Sequence, residues 1–264
     1  MFSLLRRRFA SHGHEGDATA SPADEPFMPD TGEGVRVYAI GDVHGRLDLL
    51  KSLLEQIVTD SGKRGAVDRL RLVMLGDLID RGPQSAQVVD LVMAMREAFD
   101  GMTCLMGNHE EMFLTALRGD ARGLSLFRRM GRETLLSYGI DDGFIDGPDD
   151  SLLLQAMLTA VPEAHRDFLR ELPDSAVVGD YLFVHAGIRP GIALDAQDGR
   201  DLRWIRREFL SSRLRHSHMV VHGHSITEAV DEQPNRIGID TGAYATGRLT
   251  CLKLEEDERE FLAT

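Results

Sequence analysis

The sequence predicts an α/β protein. From Val35 onward, short apolar runs alternate with amphipathic helices, which is the signature of that class. After Pro173 the pattern turns to short strands. Apolar runs in both halves end on turns that carry glycine together with Asp, His or Asn.

Val35–Ile40 reads as a buried strand. Leu47–Thr59 comes next as a helix, with Leu50, Leu53, Leu54, Ile57 and Val58 on one face. Asp48 lies in its first turn, where a negative charge suits the helix dipole. Leu70–Leu75 is a second strand, and Ser85 to Phe99 a second helix with Val88, Val92, Met95 and Phe99 in a stripe. Met102–Met106 and Glu110–Leu117 repeat the pair. The middle, Gly119 to Glu171, holds helical stretches at Leu124–Tyr138, Leu152–Thr159 and Glu163–Leu169. The loop Gly139–Asp150 is acidic but lacks calcium-loop spacing, so it reads as solvated. Ala176–Val178 and Tyr181–Val184 flank Gly179-Asp180, a hairpin turn. Met219–Val221, Arg236–Ile239 and Leu249–Leu254 are further strands.

This pattern divides the chain into two units. Residues 1–34 are expected to form a disordered lead-in, with Ser11–Gly34 rich in Gly, Ala, Ser, Pro and acidic residues. Residues 35–264 form one domain, with 119–171 as a helical insertion rimming its cleft. Within the lead-in, Met1–Ala10 places Arg6, Arg7 and Arg8 beside Phe2, Leu4, Leu5 and Phe9, a pattern that allows only weak membrane contact. The charge balance is −13, from 30 basic and 43 acidic residues, so net charge draws the chain to neither nucleic acid nor an anionic membrane, and only a local basic patch could. No apolar run nears the ~18 residues of a membrane span. Two cysteines make no disulfide framework, and the expected compartment is the reducing cytoplasm.

The chemistry lies in the turns at the strand ends. After Ile40 comes Gly41-Asp42-Val43-His44-Gly45, and after Leu75 comes Gly76-Asp77-Leu78-Ile79-Asp80-Arg81-Gly82. After Met106 comes Gly107-Asn108-His109-Glu110. His185-Ala186-Gly187 succeeds Val184, and His222-Gly223-His224-Ser225 succeeds Val221. In α/β folds the crevice at the carboxyl ends of the strands is where ligands bind, so these segments converge on one site. Carboxylate, imidazole and amide donors without thiolate suit Mn, Fe or Zn. A pair of such ions ~3.5–4 Å apart can hold hydroxide and clamp an in-line displacement at phosphorus. Each motif alone has a plain structural reading: Gly-Asp is a common turn, and a lone His185 is more often a core histidine. Their ordered recurrence at strand exits has no such reading.

The set Gly-Asp-X-His-Gly, Gly-Asp-X-X-Asp-Arg-Gly, Gly-Asn-His-Glu, His-Ala-Gly and Gly-His closely resembles the PPP family of metal-dependent serine/threonine phosphatases, within the calcineurin-like metallophosphoesterase superfamily, bacterial and phage type. The resemblance implies an αββα sandwich of two packed mixed sheets flanked by helices. It implies two divalent metal ions, with Mn²⁺ favoured over Fe or Zn. Asp42 and His44 would hold one ion, Asp77 would bridge, and Asn108, His185 and His224 would hold the second. His109 would be the general acid, with Asp80 orienting it. Arg81 would clamp phosphate, and Asn108 would also touch the substrate. Trp204-Ile205-Arg206 resembles the family's Trp-X-Arg and would supply Arg206 as a second clamp.

On this reading the chain hydrolyses phosphoserine and phosphothreonine in a phosphoprotein or phosphopeptide. The alternative is hydrolysis of diadenosine polyphosphates. Symmetric hydrolases of that kind have Ala where this chain has Asp80 and end the third motif in Asp where it has Glu110, which favours the phosphatase. A non-catalytic phosphopeptide-binding module ranks third, because every expected position is filled.

Overall fold

The computed structural model describes residues 28–264. The expected membrane contact of residues 1–10 lies outside the described residues, as does most of the lead-in. Residues 28–34 do pack on the domain. Thr31 is buried, its N–H donates to Glu256 O at 3.1 Å, and the Asp180 N–H donates to Asp30 O at 2.8 Å. The packed domain therefore includes residues ahead of Val35, where the expected boundary lay.

The first half runs β1 (Val35–Ile40), α1 (Leu47–Arg64), β2 (Arg69–Met74), α2 (Ser85–Ala98), β3 (Met102–Cys104) and α3 (Asn108–Leu117). The helical middle continues as α4 (Ala121–Met130), α5 (Arg132–Ser137), α6 (Asp142–Ile145), α7 (Asp150–Ala160) and α8 (Glu163–Arg170). Then come β4 (Ser175–Val178), β5 (Tyr181–Val184), α9 (Gly199–Trp204), α10 (Arg207–Leu210), β6 (Met219–His222), β7 (Asp231–Gln233) and β8 (Arg236–Gly238). The chain closes with α11 (Ala243–Thr246), β9 (Thr250–Glu255) and β10 (Glu258–Ala263).

The strands form two mixed sheets, ordered β10-β9-β1-β2-β3 and β4-β5-β6-β8-β7. In the first, β1, β2 and β3 run parallel and β9 and β10 antiparallel. In the second, β5, β6 and β8 run parallel and the edges antiparallel. The period-two alternation of strand side chains then defines the layers. Val35, Val37 and Ala39 of β1 meet Phe183, Val221 and Ile237 between the sheets. Tyr38 and Ile40 point the other way, onto Leu50 and Leu53 of α1 and Val88 and Val92 of α2. Leu182, Val184 and Val220 back onto Leu202, Ile205 and Phe209. This is the expected αββα sandwich. It explains why β1 is buried on both faces and reads as an unbroken apolar run.

Some expectations fail at edges. Val58 is 72% exposed, so the apolar stripe of α1 ends at Ile57. The acidic loop at 139–150 contains α6, whose Ile145 is buried. Strands β7 and β10 escape the sequence reading because they lie at sheet edges and carry alternating charge, as in Glu258-Arg259-Glu260. Among the described residues, no helix is long and apolar enough to cross a membrane.

Candidate active site

Parallel β1, β2 and β3 in one sheet and β5, β6 and β8 in the other all end on one side of the sandwich. The loops leaving them turn more sharply than ordinary L-residues favour. Among the described residues, the non-glycine positions with positive φ are His44, Asp77, Asp80, Arg81, His224 and Glu256. All but Glu256 are candidate site residues. Backbone strain gathers where the surrounding fold holds it for a purpose. Two glycines permit close approach. A Cβ on Gly107 would overlap the Asp77 carboxylate, and one on Gly223 would overlap that of Asp42.

Asp77 lies at the centre, buried. Its Oδ2 is 3.4 Å from His185 Nε2, 3.6 Å from His44 Nε2 and 3.9 Å from His109 Nε2. His185 Nε2 is also 2.9 Å from Asn108 Oδ1 and 3.2 Å from His224 Nδ1. Two groups of potential metal donors result, His44–Asp77–His109 and Asp77–His185–His224, sharing Asp77. Asp42 belongs to neither group. Its carboxylate accepts the His224 backbone N–H at 3.0 and 3.2 Å.

The tautomers show what the centre lacks. His44 Nδ1 donates to Ile79 O and His185 Nδ1 to Leu75 O, each at 2.8 Å, because a carbonyl can only accept. Burial pushes His44 down to about 4 and lowers His185, so both rings are neutral and their Nε2 atoms bare. Two bare lone pairs therefore face an oxygen of Asp77. Burial, a neighbouring His185 and other charges push His224 down to about 3, and its buried Nε2 has no partner. Asp42 is raised well above the carboxylate range by burial and by Asp240 and Asp77 beside it. Converging lone pairs and carboxylates repel unless cations lie among them, and a backbone carbonyl fixing an imidazole, as at His44 and His185, is the usual support of a metal ligand. The residues thus fit divalent cations.

His109 is different. Burial pushes its pKa down, but Asp77, Asp80 and Glu110 outweigh that and raise it to about 9. Its Nδ1 is 2.5 Å from Asp80 Oδ2. Asp80 in turn accepts from the Thr134 hydroxyl, and its N–H is held by Ser85 Oγ at 3.0 Å and Thr134 Oγ1 at 2.9 Å. Arg81 is exposed, its guanidinium 5.4 Å from the Tyr244 ring, which stands edge-on to His44 at 5.4 Å. Arg206 is exposed too, and close enough to push down the pKa of His185 and His224.

The family model described as calcineurin-like phosphoesterase matches residues 35–256. The chain belongs to that family. Among this phosphoesterase's relatives, a symmetrical bis(5'-nucleosyl)-tetraphosphatase of Dechloromonas aromatica is 35% identical over 58% of this chain and 44% of its own length. One of the same name from Nitrosospira multiformis is 26% identical over 78% of this chain and 66% of its own. The chain thus spans under half of the first relative's length. In structure it is similar to a crystal structure provisionally called a diadenosine tetraphosphatase, with TM-score 0.61, 23% identity and coverage of 86% and 93% of the two chains. It is also similar to a cold-active protein-tyrosine phosphatase of a psychrophilic Shewanella, with TM-score 0.50, 21% identity and coverage of 96% and 89%. These likenesses confirm the fold.

The relatives correct the expected function. They are named as tetraphosphatases, not as PPP serine/threonine phosphatases, and the phosphoprotein reading falls with that. The residues behind it have structural tasks that do not depend on the leaving group. Glu110 is buried and accepts the N–H groups of Asp77, Leu78, Ile79 and Gly107 at 2.8 to 3.3 Å, fixing the β2 loop. Asp80 holds His109. The pair Asp80 and Glu110 reports how this loop is built rather than what it cleaves.

The sequence reading missed other members of the site. Asp240 is buried beside Asp42, and burial first, with Asp77 adding to it, raises it to about 6. Its signal was present, since it comes directly after the apolar Ile237-Gly238-Ile239 of another strand exit. Thr134 and Tyr244 gave no such signal. His222, by contrast, sits in the core edge-on to Phe209 at 5.1 Å.

Proposed function

We propose that the chain is a metal-dependent hydrolase of dinucleoside polyphosphates that cleaves a tetraphosphate between its two central phosphates. The observation that carries this reading is the naming of its relatives as symmetrical bis(5'-nucleosyl)-tetraphosphatases. Water oxygen bonds to one central phosphorus, the bridging P–O bond opposite breaks, and two nucleoside diphosphates leave.

On this reading Asp42, His44, Asp77, Asn108, His185 and His224 hold two divalent cations. Such ions polarise phosphoryl oxygen and lower the pKa of bound water. The chain's own groups do the rest. His109, held by Asp80, gives its proton to the departing bridging oxygen. Asp80 holds Nδ1, so Nε2 is the nitrogen that faces the reaction. Arg81 and Arg206 bind the non-bridging oxygens, and Asn108 contacts the scissile phosphate. Glu110 keeps Asp77 in its left-handed backbone conformation.

The test is product analysis. Metal-stripped protein is incubated with diadenosine tetraphosphate, with and without Mn²⁺, beside a phosphoserine peptide. ADP as the sole nucleotide product, only with metal, supports the reading. No cleavage, or AMP plus ATP, overturns it.

A further inference from the structure

A dinucleotide substrate needs more than a phosphate site. Cavities on the described residues lie between α6 and α7, between α2 and α8, around Arg213 and Asn235, and between α1 and β10. None of these shares a residue with the metal cluster's neighbours. A further cavity of about 330 Å³ does. It lies between α3, α4 and α9, and Trp204, Arg200, Arg122, Met112 and Leu126 line it. That volume is at the lower end of the ~300–1,000 Å³ of ligand pockets.

Trp204 joins the cavity to the reaction centre. Its ring centroid is 6.5 Å from that of His224, so one indole borders both spaces. The indole Nε1–H donates to Glu111 Oε2 at 2.6 Å, and Glu111 is held by Arg203 at 3.0 Å, which fixes the ring. Trp204 is nevertheless 36% exposed, leaving ring surface for a ligand. Met112 and Leu126 supply apolar wall. Arg122 and Arg200 are exposed at its edge, and no hydrogen bond or ion pair occupies either guanidinium among the described residues. A fixed aromatic face, an apolar wall and unengaged guanidiniums beside a phosphoryl-transfer centre are what a nucleobase joined to a phosphate chain requires.

We propose that this cavity is a nucleoside subsite. The base of one nucleotide stacks on Trp204, and Arg122 and Arg200 take the phosphates nearest that nucleoside. The proposal rests on the dinucleotide reading for its substrate and makes Trp204 a specificity determinant for it.

Trp204 is the chain's sole tryptophan, so its emission reports the subsite directly. Mn²⁺-loaded full-length protein is titrated with AMP, with a methylene-bridged diadenosine tetraphosphate, and with methylenediphosphonate as the control lacking a base. Saturable quenching by the two adenosine ligands and none by the control is expected. Trp204→Leu should raise KM for diadenosine tetraphosphate roughly 5- to 150-fold, the range of one lost base–aromatic stack, and Trp204→Phe should recover part of it. Arg200→Gln, which leaves the indole and its hydrogen bond in place, should weaken AMP binding with the emission spectrum of the free protein unchanged. Equal responses to AMP and methylenediphosphonate, or unchanged KM in both Trp204→Leu and Arg200→Gln, overturn the proposal. If wild-type protein fails to cleave diadenosine tetraphosphate, the functional reading falls. Saturable AMP quenching in that protein still supports the subsite, and its absence still rejects it.

Discussion

The strand-exit loops and the helical middle of this phosphoesterase are built on opposite terms. The loops hold left-handed non-glycine residues, bare imidazole nitrogens and crowded carboxylates. Residues 119–171 contain no non-glycine residue with positive φ. Three of their five helices start on ordinary aspartate caps: Asp120 accepts from Gly123 N, Asp141 from Gly143 N, and Asp149 from Ser151 N and Leu152 N. Their core is apolar, with Phe127 stacked on Phe113 at 4.8 Å. The middle gains stability from packing, whereas the loops spend it on holding charges together for chemistry. One residue crosses between them. Thr134 of α5 bonds Asp80, so the insertion helps aim the imidazole of His109.

The contrast is sharpest at Asp77. Asp77→Asn should cost roughly 10³-fold or more in turnover, since several kcal/mol of charge stabilisation depend on it. Both metal sites should weaken in a calorimetric Mn²⁺ titration, while circular dichroism stays native. Normal occupancy of two ions would remove Asp77 from its shared position.

His109→Asn comes next. A general acid contributes ~10²–10⁴. The departing terminal phosphate is far less basic than an alkoxide, its second pKa being about 6, so the loss should sit near the lower end, ~10². The measurement is kcat of wild type and His109→Asn on phosphate esters of graded leaving-group pKa beside diadenosine tetraphosphate, and a loss that does not grow with leaving-group pKa would contradict proton donation.

Asp80→Asn should slow turnover about tenfold and act visibly on His109. In the metal-free protein His109 keeps its proton up to about pH 9, against an ordinary 6.5. Its contribution to stability is therefore complete below pH 6.5 and is lost as pH rises through about 9. Removing the Asp80 charge should lower that pKa, which proton NMR of the ring can track. An unchanged pKa would mean Asp80 only packs there.

Thr134→Val should reduce turnover a few-fold and cost ~1–3 kcal/mol in denaturant unfolding, because it leaves Asp80 with an unmet acceptor. At the other extreme, Leu153→Ala, at a buried position of α7, should cost ~2–5 kcal/mol in stability yet leave turnover per folded molecule unchanged. A large kcat loss there would show that the insertion shapes the site as a whole.

The order of motifs was legible because each depends on local physics. An apolar run makes the strand, a glycine lets the chain turn, and the polar residue after it stands at the strand's carboxyl end. That was enough to mark Asp42, His44, Asp77, Asn108, His185 and His224 at strand exits, while the roles of Asp80 and His109 and the sandwich beneath them came from the family resemblance. Arg81 and Arg206 were marked by motif alone, and both are found exposed. What stayed hidden depends on contacts between distant segments. Thr134 meets Asp80 across 54 residues, and Trp204 meets Glu111 across 93. No period or spacing encodes such distances, which only the packing of α3, α5 and α9 sets. Substrate choice is hidden for the same reason. On the proposed reading the strand-exit residues act on the phosphoryl group that monoesters and anhydrides share, so the sequence marked a candidate metal-assisted phosphoryl site. What lies beyond the phosphorus would be read by walls such as the proposed subsite at Trp204, and those walls come from elements that meet only in the folded chain.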